Sequence, residues 1–218
     1  MEFDKVIKKR KSVRMFNGDP VDQDLIVQVV EDAMQAPSWV NSQPWQVYCA
    51  LEETTAIIKQ TYHDNDAKGK KPAPELAVMP RDEWADRPRE NMKEWGHEIV
   101  HHFTDYDEAH AVMSNASNIL NATETLLVIT VPKKSPEWSL VDAGAFAQTL
   151  MLSATNHGLG TLISYNSVRY ADDLREILHI PDDERIVVGI EIGYPENDKI
   201  NSFKSQRQPL ENVLHFKK

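Results

Sequence analysis

Three cations and a serine lie close together near the start of the chain, in Arg10-Lys11-Ser12-Val13-Arg14. Arginine keeps its charge at any working pH and forms bidentate, charge-assisted hydrogen bonds to phosphate, and a serine hydroxyl adds a neutral donor. Further cations precede this run, at Lys5, Lys8 and Lys9, although the formal net charge of the chain is −10. A solvated helix face explains the outer lysines, but a basic cluster on an acidic protein also suits one bound phosphate.

A second stretch, residues 36–46, combines two prolines and two tryptophans with short, neutral hydrogen-bonding side chains. Pro44 disfavours helical backbone at the residue before it, so we predict a stiff loop here. Such a loop suits a planar, heteroatom-rich partner better than a bare ion, but an ordinary helix-to-strand connection with tryptophans in the core fits the same pattern. The residues concerned are Pro37, Ser38, Trp39, Asn41, Gln43, Pro44 and Trp45.

Taken in order, the two stretches resemble the opening of the flavin-dependent nitroreductase family. That family carries an Arg-x-Ser-x-Arg/Lys signature and then a Pro-Ser-x-x-Asn-x-Gln-Pro-Trp loop, and both are present here. The resemblance implies an α+β fold, a three-layer sandwich in which helices flank a mixed β-sheet. It also implies FMN, NADPH or NADH as electron donor, and a homodimer in which each flavin lies between the signature of one subunit and the loop of the other. The C-terminal segment is expected to wrap the partner.

The resemblance extends to single residues near the expected flavin. Ser164-Tyr165-Asn166 occupies the segment whose backbone faces the reactive flavin nitrogen, although it departs from the family's Pro-x-Glu-Gly. Arg207 matches a C-terminal arginine that returns to the phosphate, but Ser205 replaces the family's lysine. The implied cofactor-binding residues are Arg10, Lys11, Ser12, Arg14, Pro37, Ser38, Trp39, Asn41, Asn115, Ser164, Tyr165, Asn166 and Arg207.

The implied function is an FMN-dependent oxidoreductase that uses NAD(P)H in a ping-pong cycle. Its acceptors would be nitroaromatic, including nitrobenzoate-like ones, or quinone-type. We assign no catalytic side chain, because the flavin carries the hydride. A flavin-binding module without turnover stays open as an alternative.

Residues 63–102 lie outside the resemblance, and we predict that they form a lid over the flavin. Four prolines and alternating charges predict a loop through most of residues 63–88, with a helix resuming near Glu90. Trp84 and Trp95 offer flat surfaces and are expected to bind a small aromatic substrate. The cations of this segment would attract a carboxylate, and they are Lys68, Lys70, Lys71, Arg81, Arg87 and Arg89.

The same segment contains His97-Glu98-Ile99-Val100-His101, which matches the HExxH pattern of zinc proteases. Histidines at i and i+4 share one face of a helix, so a zinc hydrolase is an alternative. Trp95, Ile99 and Phe103 can instead form the buried side of that helix, which leaves the histidines near the surface. We assign no metal.

The bulk composition fits one domain over residues 1–218, with 41% hydrophobic residues. The acidic charge argues against nucleic-acid or anionic-membrane partners. No apolar run suits a signal peptide or a membrane span, so we expect a cytoplasmic protein. Alternating helices and strands alone suggest an α/β sheet, but the G-x-G-x-x-G of a dinucleotide fold is absent.

Overall fold

The computed structural model describes residues 1–217, which form eight α-helices and four β-strands. The helices are α1 (Phe3–Lys9), α2 (Gln23–Ala33), α3 (Glu52–Ala67), α4 (Asp86–His102), α5 (Tyr106–Asn118), α6 (Trp138–Asn156), α7 (Ala171–Leu178) and α8 (Lys199–Ser202). The strands are β1 (Gln46–Leu51), β2 (Thr125–Pro132), β3 (Gly160–Ser164) and β4 (Glu184–Gly193). Short 3-10 turns cover residues 39–41, 81–83, 120–122, 166–168 and 210–212.

The four strands form one sheet in the order β1-β2-β4-β3, and every neighbouring pair is antiparallel. The predicted α+β class is therefore confirmed. The predicted mixed sheet was wrong for the four strands, since parallel pairing is confined to isolated bridges such as Ser12 with Thr161.

Strand β2 explains why the sheet needs helices on both faces. Leu127 and Ile129 pack with α2 and α6, whereas Leu126 and Val128 pack with α3 and α7. Because successive side chains of a strand point to opposite faces, an unbroken apolar run implies two buried faces. The result is three layers, with the sheet in the middle.

A third apolar cluster lies beside the sheet and brings the predicted lid into the fold. It joins α4, α5 and α8 through residues such as Ile99, Ala116 and Phe203. Helix α3 runs to Ala67, so the loop predicted from residue 63 was wrong over its first residues, and α4 begins at Asp86. No helix within residues 1–217 has both the length and the apolar character needed to cross a bilayer.

Candidate functional site

The basic segment Arg10–Arg14 is held along the edge of β3. Val13 donates from its backbone N–H to the Thr161 carbonyl at 3.0 Å, and its side chain is buried. Gly160 makes this approach possible, because a Cβ there would lie 2.5 Å from Cγ2 of Val13. In extended backbone the neighbours of a buried residue face the other way, so Ser12 and Arg14 point into a cavity.

Asn201 fixes the end of the same segment from α8. Its Oδ1 accepts hydrogen bonds from the backbone N–H of Arg14 at 2.7 Å and of Met15 at 3.2 Å. Its Nδ2 donates to the carbonyls of Met15 and Glu196 at 2.6 and 2.9 Å. This buried side chain thus sets the backbone that presents Arg14.

The cavity beside this segment, called here the basic cavity, has a volume of about 600 Å³. It contains six cations and no carboxylate: Lys8, Arg10, Lys11, Arg14, Lys204 and Arg207. None of the six forms an ion pair with a carboxylate of residues 1–217. A cavity of this kind favours the binding of an anion.

Two of these arginines show the cost of burying a positive charge, and in one of them a second cation adds to it. Burial, and then the nearby charge of Arg207, lower the pKa of Arg10. Burial also lowers the pKa of Arg14, whose guanidinium lies 5.8 Å from the centre of the Trp95 ring and 5.9 Å from that of Phe203. An anion within hydrogen-bond reach would relieve both effects.

A second cavity, called here the strand-end cavity, begins where β3 ends and has a volume of about 380 Å³. Arg14 lines both cavities, so they meet at this residue. The wall of the strand-end cavity includes Ser164, Tyr165 and Asn166, and Trp95 of α4 faces them. The structure therefore places the segments around Arg14, Trp95 and Asn166 around connected space.

A buried carboxyl group, Glu191 of β4, supports the strand-end cavity from behind. It accepts hydrogen bonds from Asn121 Nδ2 at 2.5 Å and from Ser167 Oγ at 2.9 Å. Burial is the main cause that raises the pKa of this carboxyl, and the bonded donors act against that rise. Asn121 lines the cavity, and Ser167 comes directly after Asn166, which also lines it. Glu191 therefore holds in place the two turns on either side of the cavity.

The predicted loop 36–46 is tightly held, but it lies apart from both cavities. Val40, Asn41 and Gln43 have φ values of 49°, 58° and 45°, a strained conformation for residues other than glycine. Ser38 Oγ accepts from the Gln43 N–H at 2.9 Å, and both carboxylate oxygens of Asp142 accept from the Trp39 N–H at 3.2 Å.

The separation from the basic cavity can be measured along α6. The loop contacts Asp142, whereas Gln148 and Leu152 line the basic cavity. At 1.5 Å per residue these positions lie about 9–15 Å apart along the helix axis. One chain therefore does not bring Pro37, Ser38, Trp39 and Asn41 to the arginines.

Two other predicted residues also lie outside the cavities. Asn115 is exposed on α5, and Trp84 donates from Nε1 to the Met79 carbonyl at 3.1 Å, away from the strand-end cavity. The sequence reasoning missed Asn121 and Asn201, for which no motif gave a signal.

The HExxH segment lies in α4, as predicted, and both of its histidines are exposed. A catalytic zinc needs three protein ligands. Among residues 1–217, no group of three His, Cys, Asp or Glu side chains is arranged to hold a metal ion.

Comparison with known proteins gives consistent matches over nearly the whole chain. The model of the nitroreductase family matches residues 7–194. A 4-nitrobenzoate reductase from Pseudomonas putida is 30% identical, covering 99% of this chain and 95% of its own, and a second from Nocardioides is 28% identical, covering 98% and 89%. The crystal structure of the FMN-dependent nitroreductase NfnB from Mycobacterium smegmatis, solved with NADPH, has a TM-score of 0.89 at 22% identity, covering 99% and 97% of the two chains. The predicted fold is confirmed.

Proposed function

Because the chain belongs to the nitroreductase family, we propose that it is an FMN-dependent enzyme that reduces nitroaromatic acceptors with NADPH or NADH. The observation that carries this proposal is the basic cavity, with six cations and no carboxylate, joined through Arg14 to a cavity whose wall includes Ser164, Tyr165 and Asn166 and no carboxylate. A molecule with a phosphate at one end and a planar ring at the other fits that order. FMN has this form.

The residues of the basic cavity are suited to the phosphate end. Arg10 and Arg207 supply charged donors, and Ser12 supplies a hydroxyl. Bound phosphate would offset the desolvation of Arg14 and the repulsion that lowers the pKa of Arg10. Lys204 lines the same cavity and lies next to Ser205, so it takes the place of the family's lysine.

The strand-end cavity is suited to the ring and the acceptor. Bound FMN supplies hydride transfer, and the protein orients the reactants. NAD(P)H and the acceptor would use the same space in turn, which gives a ping-pong cycle. In the first two-electron step, a nitro group, NAD(P)H and one proton yield a nitroso group, NAD(P)⁺ and water. No Asp, Glu, His or Cys among the described residues lines this cavity, so we assign the proton to solvent.

The test is to purify the protein and measure its absorption spectrum, metal content and NADPH oxidation with a nitroarene or a quinone. We expect bound flavin and acceptor-dependent oxidation. A colourless protein with one zinc would favour the hydrolase alternative. Bound flavin without turnover on any acceptor would indicate a non-catalytic flavin-binding module.

The separated halves of the predicted site support a homodimer. An apolar patch lies exposed where the 36–46 loop meets the start of α6, and the rings of Trp39 and Trp138 lie 5.1 Å apart within it. Its members are Trp39 at 56% exposure, Val40 at 87%, Trp138 at 53% and Val141 at 60%. A second copy that covered this patch would bring its own loop to the basic cavity of the first.

Replacing Val141 with arginine is expected to convert the dimer to a monomer and to remove FMN with it. In the dimer the new charge would be buried without a partner, whereas in a monomer it would stay in water. Sedimentation and the flavin-to-protein ratio measure the two effects. Ile57→Arg, at a position 48% exposed on α3, is the matched control. An FMN-loaded dimer of Val141→Arg would place the interface elsewhere.

A further inference from the structure

The strand-end cavity carries more positive charge than a flavin ring needs. Its lining includes two arginines, Arg14 and Arg81, and no acidic residue. Neither arginine pairs with a carboxylate among residues 1–217. Arg14 also faces the basic cavity, but Arg81 belongs to the strand-end cavity alone. Arg81 is therefore available to an anion that lies beyond the expected phosphate.

Arg81 differs from the other two arginines of its segment. Arg89 Nη2 lies 2.5 Å from the Asp86 carboxylate, so its charge is already paired. Arg81 and Arg87 are both exposed, but Arg87 lines neither cavity. Arg81 is the member of this group that faces the strand-end cavity.

A compact turn presents Arg81 to the cavity. The Trp84 N–H donates to the Arg81 carbonyl at 3.4 Å, and the Trp84 indole N–H closes the turn on the Met79 carbonyl at 3.1 Å. Trp95 lines the same cavity and offers a flat surface near Arg14. The lining of the cavity thus combines an aromatic ring with a second arginine.

We propose that Arg81 binds the carboxylate of an aromatic acceptor and so selects nitrobenzoates over neutral nitroarenes. The proposal rests on the nitroaromatic reduction proposed above. A planar guanidinium matches a carboxylate by two parallel hydrogen bonds. Trp84 acts as a positioning residue, since it holds the turn and does not line the cavity.

The anionic phosphates of NADPH offer Arg81 the same chemistry, and kinetics separate the two sources. We expect Arg81→Ala to lower kcat/KM for 4-nitrobenzoate by about 10- to 100-fold. The values for nitrobenzene and for NADPH should change by less than about 3-fold, and Arg81→Lys should restore part of the loss. Arg87→Ala is the matched control and should leave all three values unchanged. A loss confined to NADPH, or an equal loss for both acceptors, would overturn the proposal.

A binding measurement on the oxidised holoenzyme tests the same residue without turnover. Benzoate and benzamide are titrated while the FMN absorption spectrum is recorded. We expect the wild type to bind benzoate more tightly than benzamide, and Arg81→Ala to remove that preference. Equal binding of the two by the wild type would refute the carboxylate role even if nitroarenes are reduced. A clear benzoate preference in a protein that reduces no nitroarene would refute the proposed function and retain the role of Arg81.

Discussion

Replacing Arg207 with alanine is expected to weaken FMN binding by about 1.5–3 kcal/mol, which corresponds to roughly 10- to 150-fold in Kd. The reason is that the Arg207 guanidinium lines the basic cavity and donates only to its own neighbours, the carbonyl and Oγ of Ser205 at 3.1 and 3.2 Å and the carbonyl of Gln206 at 2.9 Å. Those local bonds hold the charge in place without neutralising it. Fluorescence titration of the apoprotein with FMN measures the loss.

The same substitution should leave the protein without FMN as stable as before, or make it more stable. Arg207 depresses the pKa of Arg10, so its removal relieves a repulsion between the two cations. Urea unfolding of the apoprotein tests this, with Arg87→Ala as the control for loss of an exposed arginine. An unchanged FMN affinity in both Arg207→Ala and Arg10→Ala would mean that the phosphate binds elsewhere. A less stable apoprotein would make Arg207 a structural residue.

Replacing Glu191 with alanine should destabilise the fold by about 2–6 kcal/mol. The substitution leaves two buried donors without an acceptor, and each unsatisfied donor costs about 1–3 kcal/mol. The donors are Asn121 Nδ2 and Ser167 Oγ, on the two turns beside the strand-end cavity. Urea unfolding measures the loss. Thr125→Ala in β2 is a useful comparison, since it also removes a buried hydroxyl but lies away from both turns.

The stability of Glu191→Gln relative to wild type should depend on pH, whereas a simple packing defect would give a difference that does not change with pH. Burial raises the pKa of the Glu191 carboxyl from its ordinary value near 4.5, so the folded protein holds that proton more tightly than the unfolded chain. The stability that this carboxyl contributes is therefore fully present at pH values below its ordinary pKa. It is lost as the pH rises towards the raised pKa of the folded protein. Glutamine does not titrate, so the stability of Glu191→Gln relative to wild type should rise with pH by up to about 1.4 kcal/mol per unit. A difference that stays flat between pH 4.5 and 7 would contradict this assignment.

Local pattern was enough to predict the elements that carry the site. The unbroken apolar run of β2 implies a strand buried on both faces, and the cations from Arg10 to Arg14 indicated a basic cluster suited to one phosphate. Both features are set by residues that are neighbours in the sequence. Side chains whose partners are distant in sequence gave no such signal. Asn201 and Asn121 are examples.

One error and one further residue show how tertiary contacts override local pattern. The polar run at the end of α3 looked like a loop, but Asn65 donates to Asp173 at 3.0 Å and Asp66 pairs with Arg169, so the helix continues to Ala67. Glu191 lies between isoleucines and has the pattern of a solvent-facing strand residue, yet it is fully buried under the turn that contains Ser167. Neither partner is visible from the nearby sequence.

The distance along α6 between the strained loop and the basic cavity has a consequence for how the cofactor is retained. In the proposed dimer, each FMN contacts both copies, so flavin binding and self-association are linked equilibria. Each must then raise the affinity of the other by the same factor. Dilution below the dimer dissociation constant would release flavin even though every contact within a chain is intact. Free FMN would in turn keep dilute protein assembled, so in the proposed dimer the concentrations of cofactor and protein would together set the fraction of the protein that is dimeric.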